Sequence, residues 1–105
     1  MIARQWIGET REVDRDTYAK YLEETGVEEI RDTEGNQGVW MMRRVHDGRA
    51  EFVVLSIWDS LESIKAFAGE DYEKAVYYPE DEKFLLHLSP QVLHYEVLVY
   101  AMPSA

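Results

Sequence analysis

The chain has no cysteine. That removes a disulfide framework, a thiolate metal site and a cysteine nucleophile together, and it makes the reducing cytoplasm the expected setting. Basic residues are scarce too. Eleven lysines and arginines stand against 21 aspartates and glutamates, a formal net charge of −10 that repels phosphate backbones and anionic lipids. Neither nucleic acid nor membrane is therefore an expected partner. No apolar run is long enough to span a bilayer, since Phe52-Val53-Val54-Leu55 breaks at Ser56, and no apolar signal-like stretch follows Met1. His46, His87 and His94 lie far apart and show no HxxxH or HExxH spacing, so no metal is expected. Repeats, linkers and low-complexity tracts are missing as well, and the 105 residues read as one domain.

What the chain does have is periodicity. "IARQWIGE" (2–9) alternates as a strand, with Ile2, Arg4 and Trp6 on one face and Ala3, Gln5 and Ile7 on the other. Asp14 reads as an N-cap for a helix whose Tyr18, Tyr21, Leu22 and Thr25 fall at i, i+3, i+4, i+7 and which is expected to stop at Gly26. Residues 31–38 are turn chemistry. "VWMMRRV" (39–45) and "EFVVLSIW" (51–58) are strands joined through Asp47-Gly48, a strong hairpin signal. Ser60 caps a second helix that buries Leu61, Ile64, Phe67 and Ala68 and closes at Gly69. A further turn or two, with Tyr72, Ala75 and Val76 on one side, is expected up to Pro79, and the last strand is placed at 91–100.

This order, β-α-β-β-α-β, predicts a ferredoxin-like α+β fold: a four-stranded antiparallel sheet with both helices on one face. The third and last strands are apolar on both faces. A bare apolar sheet face is too large a patch for a soluble monomer, so a second copy is expected to cover it in a homodimer joined through sheet faces.

"AEFVVLSIWDSLESIKAFAG" (50–69), "AVYYPED" (75–81) and "HYEV" (94–97) resemble the antibiotic-biosynthesis monooxygenase family, over nearly the whole chain from "MIARQWIG" onward. The resemblance implies a dimeric α+β barrel. Some members oxidise polycyclic phenols or anthrones with O₂ and no cofactor. Others bind and degrade heme with an asparagine, a tryptophan and a histidine, which fall near Trp6, at Phe67 and at Tyr77 of this chain. All three differ, which argues against heme degradation and for a reaction without a cofactor.

Trp6, Trp58, Phe67, Tyr72, Tyr77 and Tyr78 gather aromatic rings around one end of the sheet and suit a flat aromatic ligand. Of the paired tyrosines, Tyr77 is expected to wall the pocket and Tyr78 to plug the core. His94 and Tyr77 are the candidate proton-transfer groups, and Arg4 is the candidate stabiliser of an anion formed from the substrate. The structural alternative for Arg4 is an ion pair with Glu96 on the neighbouring strand, and for His94 a fixed hydrogen bond. The expected function is oxidation of an aromatic small molecule by O₂. The competing reading is a non-catalytic dimeric domain that binds a small ligand.

Overall fold

Alternating apolar and polar residues build four strands, β1 (Ile2–Arg11), β2 (Asn36–His46), β3 (Arg49–Trp58) and β4 (Leu93–Glu96), in a computed structural model that describes residues 1–104. They form one antiparallel sheet in the order β2-β3-β1-β4. This is the ferredoxin-like arrangement expected from the element order. The β2–β3 turn has φ 51° at Asp47 and φ 75° at Gly48, the pair of positive angles that a type I′ hairpin demands.

Four helical segments follow the chain: α1 (Arg15–Leu22), α2 (Glu28–Asp32), α3 (Leu61–Ala68) and α4 (Asp81–Phe84). Ser60 caps α3, its hydroxyl oxygen accepting the Ser63 N–H at 3.2 Å. Phe52, Val54 and Trp58 of β3 pack against Tyr18, Leu22, Ile30 and Ile64 to form the core. Each fully buried side chain of this size contributes about 1.5–3 kcal/mol. Among the described residues no helix packs on the other face of the sheet, where Ala3 and Ile57 are nonetheless buried. Ile7, Trp40, Met42, Leu93 and Tyr95 stand exposed there, around a central row of Val53 and Leu55 set by the strand register. Among the described residues no helix is long and apolar enough to cross a membrane.

Several boundaries differ from the sequence reading: residues 31–32 and 36–38, read as turn, belong to α2 and β2, and the short helix α4 lies where none is expected. The first helix does not stop at Gly26. A π-helical segment, Glu23–Val27, joins α1 to α2 and carries the buried stripe on to Ile30. Glycine ends a helix by turning left-handed, and Gly26 is not among the residues with positive φ. Residues 70–78 are not helical. Gly69 leaves α3 at φ 88°, and the chain then runs beside the segment entering β4, through a Lys74–Gln91 bridge and an Ala75 N–H to Pro90 carbonyl bond of 3.0 Å. The last strand ends at Glu96 because β1 is its one neighbour and begins opposite it, at Ile2.

Candidate functional site

Arg4 and Trp6 project from β1 toward the helices, two residues apart and therefore on one face. Gly8, next along that face, leaves the space that the Trp6 indole ring fills; any side chain there would collide with it. Facing them are Leu22, Gly26 and Ile30, which the π segment holds at intervals of four along one side of the helix. Phe67 of α3, Val76 and Tyr78 of the loop, and Asp81 at the start of α4 close the remaining sides. These residues enclose a cavity of about 40 Å³. This is the room left for the centres of water-sized spheres, a few times the roughly 10–15 Å³ that one water needs, and the cavity is partly open to solvent. Pockets for drug-sized ligands run to roughly 300–1,000 Å³.

Arg4 is 4% exposed, and among the described residues it makes no ion pair. The expected Glu96 partner is not there, because the antiparallel register sets Glu96 against Ile2 and His94 against Arg4. The guanidinium is instead held by neutral groups. Nη1 donates to the Tyr72 carbonyl and lies 3.1 Å from His94 Nε2, while Nη2 donates to the Lys74 carbonyl at 3.1 Å. Its Cζ sits 5.6 Å above the Phe67 ring. Burial lowers its pKa to about 10, so it stays charged at neutral pH.

An arginine has no acceptor, so His94 Nε2 must receive this bond through its lone pair, which fixes His94 as the neutral Nδ1–H tautomer. Burial, and after it the Arg4 charge, push the His94 pKa down, with Glu73 pulling the other way. Asp81 is 3% exposed. Its Oδ1 accepts the Tyr18 hydroxyl at 2.9 Å and its Oδ2 the Tyr78 backbone N–H at 2.7 Å. Burial first, then the Asp81 charge, drive the Tyr18 phenol far up, so it remains a donor.

Four of the eight residues singled out from sequence line the cavity: Arg4, Trp6, Phe67 and Tyr78. The other four stand behind them. Trp58 stacks on Phe67 at 5.9 Å, and Tyr72 and His94 hold Arg4. Tyr77 packs edge-on against Trp6 at 6.3 Å and donates its hydroxyl to the Ser89 carbonyl at 2.6 Å. Its phenol pKa is raised, chiefly by burial. The paired tyrosines thus take up positions opposite to those expected. In the extended chain neighbouring side chains point to opposite sides, and here it is the Tyr78 ring that meets the cavity while its hydroxyl reaches out to Glu29 at 2.7 Å. Sequence reasoning missed Asp81, which sits in an acidic run that reads as solvated surface. A usable signal was its place three residues after Tyr78 and just past Pro79, at the start of a short helix. Among the described residues no three His, Asp or Glu are grouped to hold a metal ion.

A scan against protein-family models gives no match, and a search of curated proteins gives none either. Solved structures do match. A protein of unknown function from Nitrosomonas europaea is 13% identical with a TM-score of 0.71, over 99% of this chain and 95% of its own. A second from the same organism, provisionally described as an antibiotic biosynthesis monooxygenase, is 12% identical with a TM-score of 0.66, over 94% of this chain and 100% of its own. The heme-degrader MhuD of Mycobacterium tuberculosis, solved with two hemes in its active site, is 15% identical with a TM-score of 0.59, over 97% of this chain and 100% of its own. At these identities the likeness is one of fold.

Proposed function

We propose that this chain, which carries the fold of the antibiotic biosynthesis monooxygenase structures, oxidises an aromatic phenol- or anthrone-like molecule with O₂ and without a cofactor. The observation that carries the proposal is Arg4: a charged guanidinium, buried at the wall of a mostly apolar cavity that it shares with Asp81, and making no ion pair among the described residues. Such a group favours whatever negative charge develops beside it, and low polarity strengthens the effect.

The chemistry needs little more. A substrate C–H or O–H gives up its proton, and the resulting anion passes one electron to O₂. The radical and superoxide recombine to a peroxide anion. Breaking the O–O bond then leaves one oxygen atom on the ring as a carbonyl, while the other departs as water, so that substrate loses two hydrogens and gains one oxygen. Arg4 stabilises the anion. Among the sequence-derived candidates for the proton, His94 has its Nε2 lone pair engaged by Arg4, and Tyr77 lies behind Trp6. Asp81 faces the cavity and has lone pairs left beyond the two bonds it accepts, so we assign it the proton. A ring enters by displacing Val76 and Tyr78, which lie on a loop outside any helix or strand.

We further propose that the working unit is a homodimer closed over the open sheet face. The exposed row of Ile7, Trp40, Met42, Leu93 and Tyr95 supports this, as do the apolar residues beyond β4, where Leu98 is 85% exposed in the single chain. The small volume of the cavity favours a second reading, a dimeric domain that binds a small ligand without turning it over. Oxygen uptake separates the two. Metal-stripped protein mixed with a panel of phenols and anthrones consumes O₂ with at least one of them under the first reading, and binds without consumption under the second.

A further inference from the structure

Two residues at the cavity wall, Arg4 and Trp6, carry N–H donors that meet no acceptor among the described residues. Arg4 has five N–H groups, and three are used: both on Nη1, toward Tyr72 and His94, and one on Nη2, toward Lys74. Its Nε–H and the remaining Nη2–H meet no acceptor among the described residues, and the Nε–H, unlike the Trp6 N–H, is not sealed from solvent. The Trp6 indole N–H is also closed off from solvent, and among the described residues no acceptor meets it in hydrogen-bond geometry. The neighbouring Tyr77 phenol, whose pKa burial raises and the indole holds down, gives its own proton to Ser89. The two residues are i and i+2 on one strand face, about 7 Å apart along β1, and both line the same cavity. Buried donors without acceptors are uncommon in folded proteins, and an unpaired buried guanidinium more so. The carboxylate that shares the cavity does not neutralise Arg4, since Asp81 accepts from Tyr18 and from the Tyr78 N–H and makes no ion pair with Arg4.

We propose that this end of the cavity is a carboxylate-binding site, and that the ligand is an ortho-hydroxy aromatic carboxylate held by Arg4 and the Trp6 N–H with its ring toward Phe67 and Tyr78. The inference rests on the proposed function for the ring chemistry alone, and deepens it by naming a substrate class. A carboxylate brings two acceptor oxygens and a full negative charge to two guanidinium donors, an indole donor and one unpaired cation. The ortho position puts the phenol oxygen beside the same guanidinium, so one cation both anchors the ligand and stabilises the anion formed from it.

Salicylate and its neutral counterpart salicylamide test this by titration into the purified protein, followed by calorimetry and by the proton–nitrogen spectrum of the tryptophan indoles. Trp6→Phe identifies the Trp6 resonance. Salicylate is expected to bind at least tenfold more tightly than salicylamide and to shift the Trp6 indole proton. Arg4→Met is expected to bring the ratio close to one, and Trp6→Phe to reduce it. Equal binding of the two probes, an unmoved Trp6 resonance, or salicylate affinity that survives Arg4→Met overturns the proposal. If Arg4→Met does not fold, the parent ratio and the Trp6 resonance decide alone. No oxygen chemistry is read, so failure of O₂ uptake leaves this outcome intact. Uptake with neutral phenols and no affinity for salicylate overturns the carboxylate site and leaves the oxygenase reading standing.

Discussion

Tyr77 and Tyr78 are chemically identical neighbours that the backbone puts to different uses. The Tyr77 hydroxyl is tied to the Ser89 carbonyl in a partly buried setting, whereas the Tyr78 hydroxyl meets an exposed Glu29. Removing the first bond costs about 1 kcal/mol, and removing the second costs less, because water replaces it. Denaturant melts of Tyr77→Phe and Tyr78→Phe are therefore expected to rank Tyr77→Phe as the less stable, and the reverse order contradicts this placement. His94 supplies a second prediction. Its folded pKa lies below the ordinary 6.5, so between those two values the unfolded chain binds more protons than the native one. Stability is then complete above about pH 6.5 and declines as pH falls through that window. His94→Gln keeps an acceptor for Arg4 but cannot titrate. Urea melts from about pH 7 to about pH 5 should show a steeper loss for the parent than for His94→Gln, and equal slopes contradict the half-buried neutral imidazole.

The elements were legible where the pattern is local. The Asp-Gly hairpin and the Ser60 cap both form as the sequence implies, and Arg4, Trp6 and Phe67 announced themselves as a cation and two rings at one sheet end. Nonlocal partners decided the rest. Residues 70–78 hold helical spacing, yet they pair with the chain entering β4, and no periodicity within the segment reports that. Likewise β4 is cut short by where β1 begins. Gly26 misled because its conformation is helical and its purpose is space. A β-carbon there would lie 3.6 Å from Leu22 and 3.7 Å from Tyr78, ordinary contacts made inside the cavity. Gly26→Ala is accordingly expected to gain about 0.5–1 kcal/mol of stability from helix propensity while weakening ligand binding. Thermal melts and probe titrations on one sample check both halves, and a destabilised Gly26→Ala contradicts the claim that this position is kept open for a ligand.

At the scale of the whole molecule, a sheet covered on one side only is the dominant fact. Leu55 lies mid-sheet on the open face, between Trp40 and Gln5 in register. In a dimer joined there, Leu55→Asp puts a charge into a buried apolar contact, so sedimentation should show dissociation at micromolar concentration together with a lower, concentration-dependent melting temperature. A parent protein that sediments as a stable monomer contradicts the dimer. The central claim, however, is that the fold presents an unpaired buried cation to an aromatic anion. It is tested most directly, and without oxygen, by the ionisation of a nitrophenol bound to the protein, followed by its visible absorbance across pH under nitrogen. The bound phenol is expected to ionise at a lower pH than the free one, and Arg4→Met to remove the shift while leaving the phenol bound. A bound phenol that ionises at the same pH as in water, or at a higher one, contradicts it.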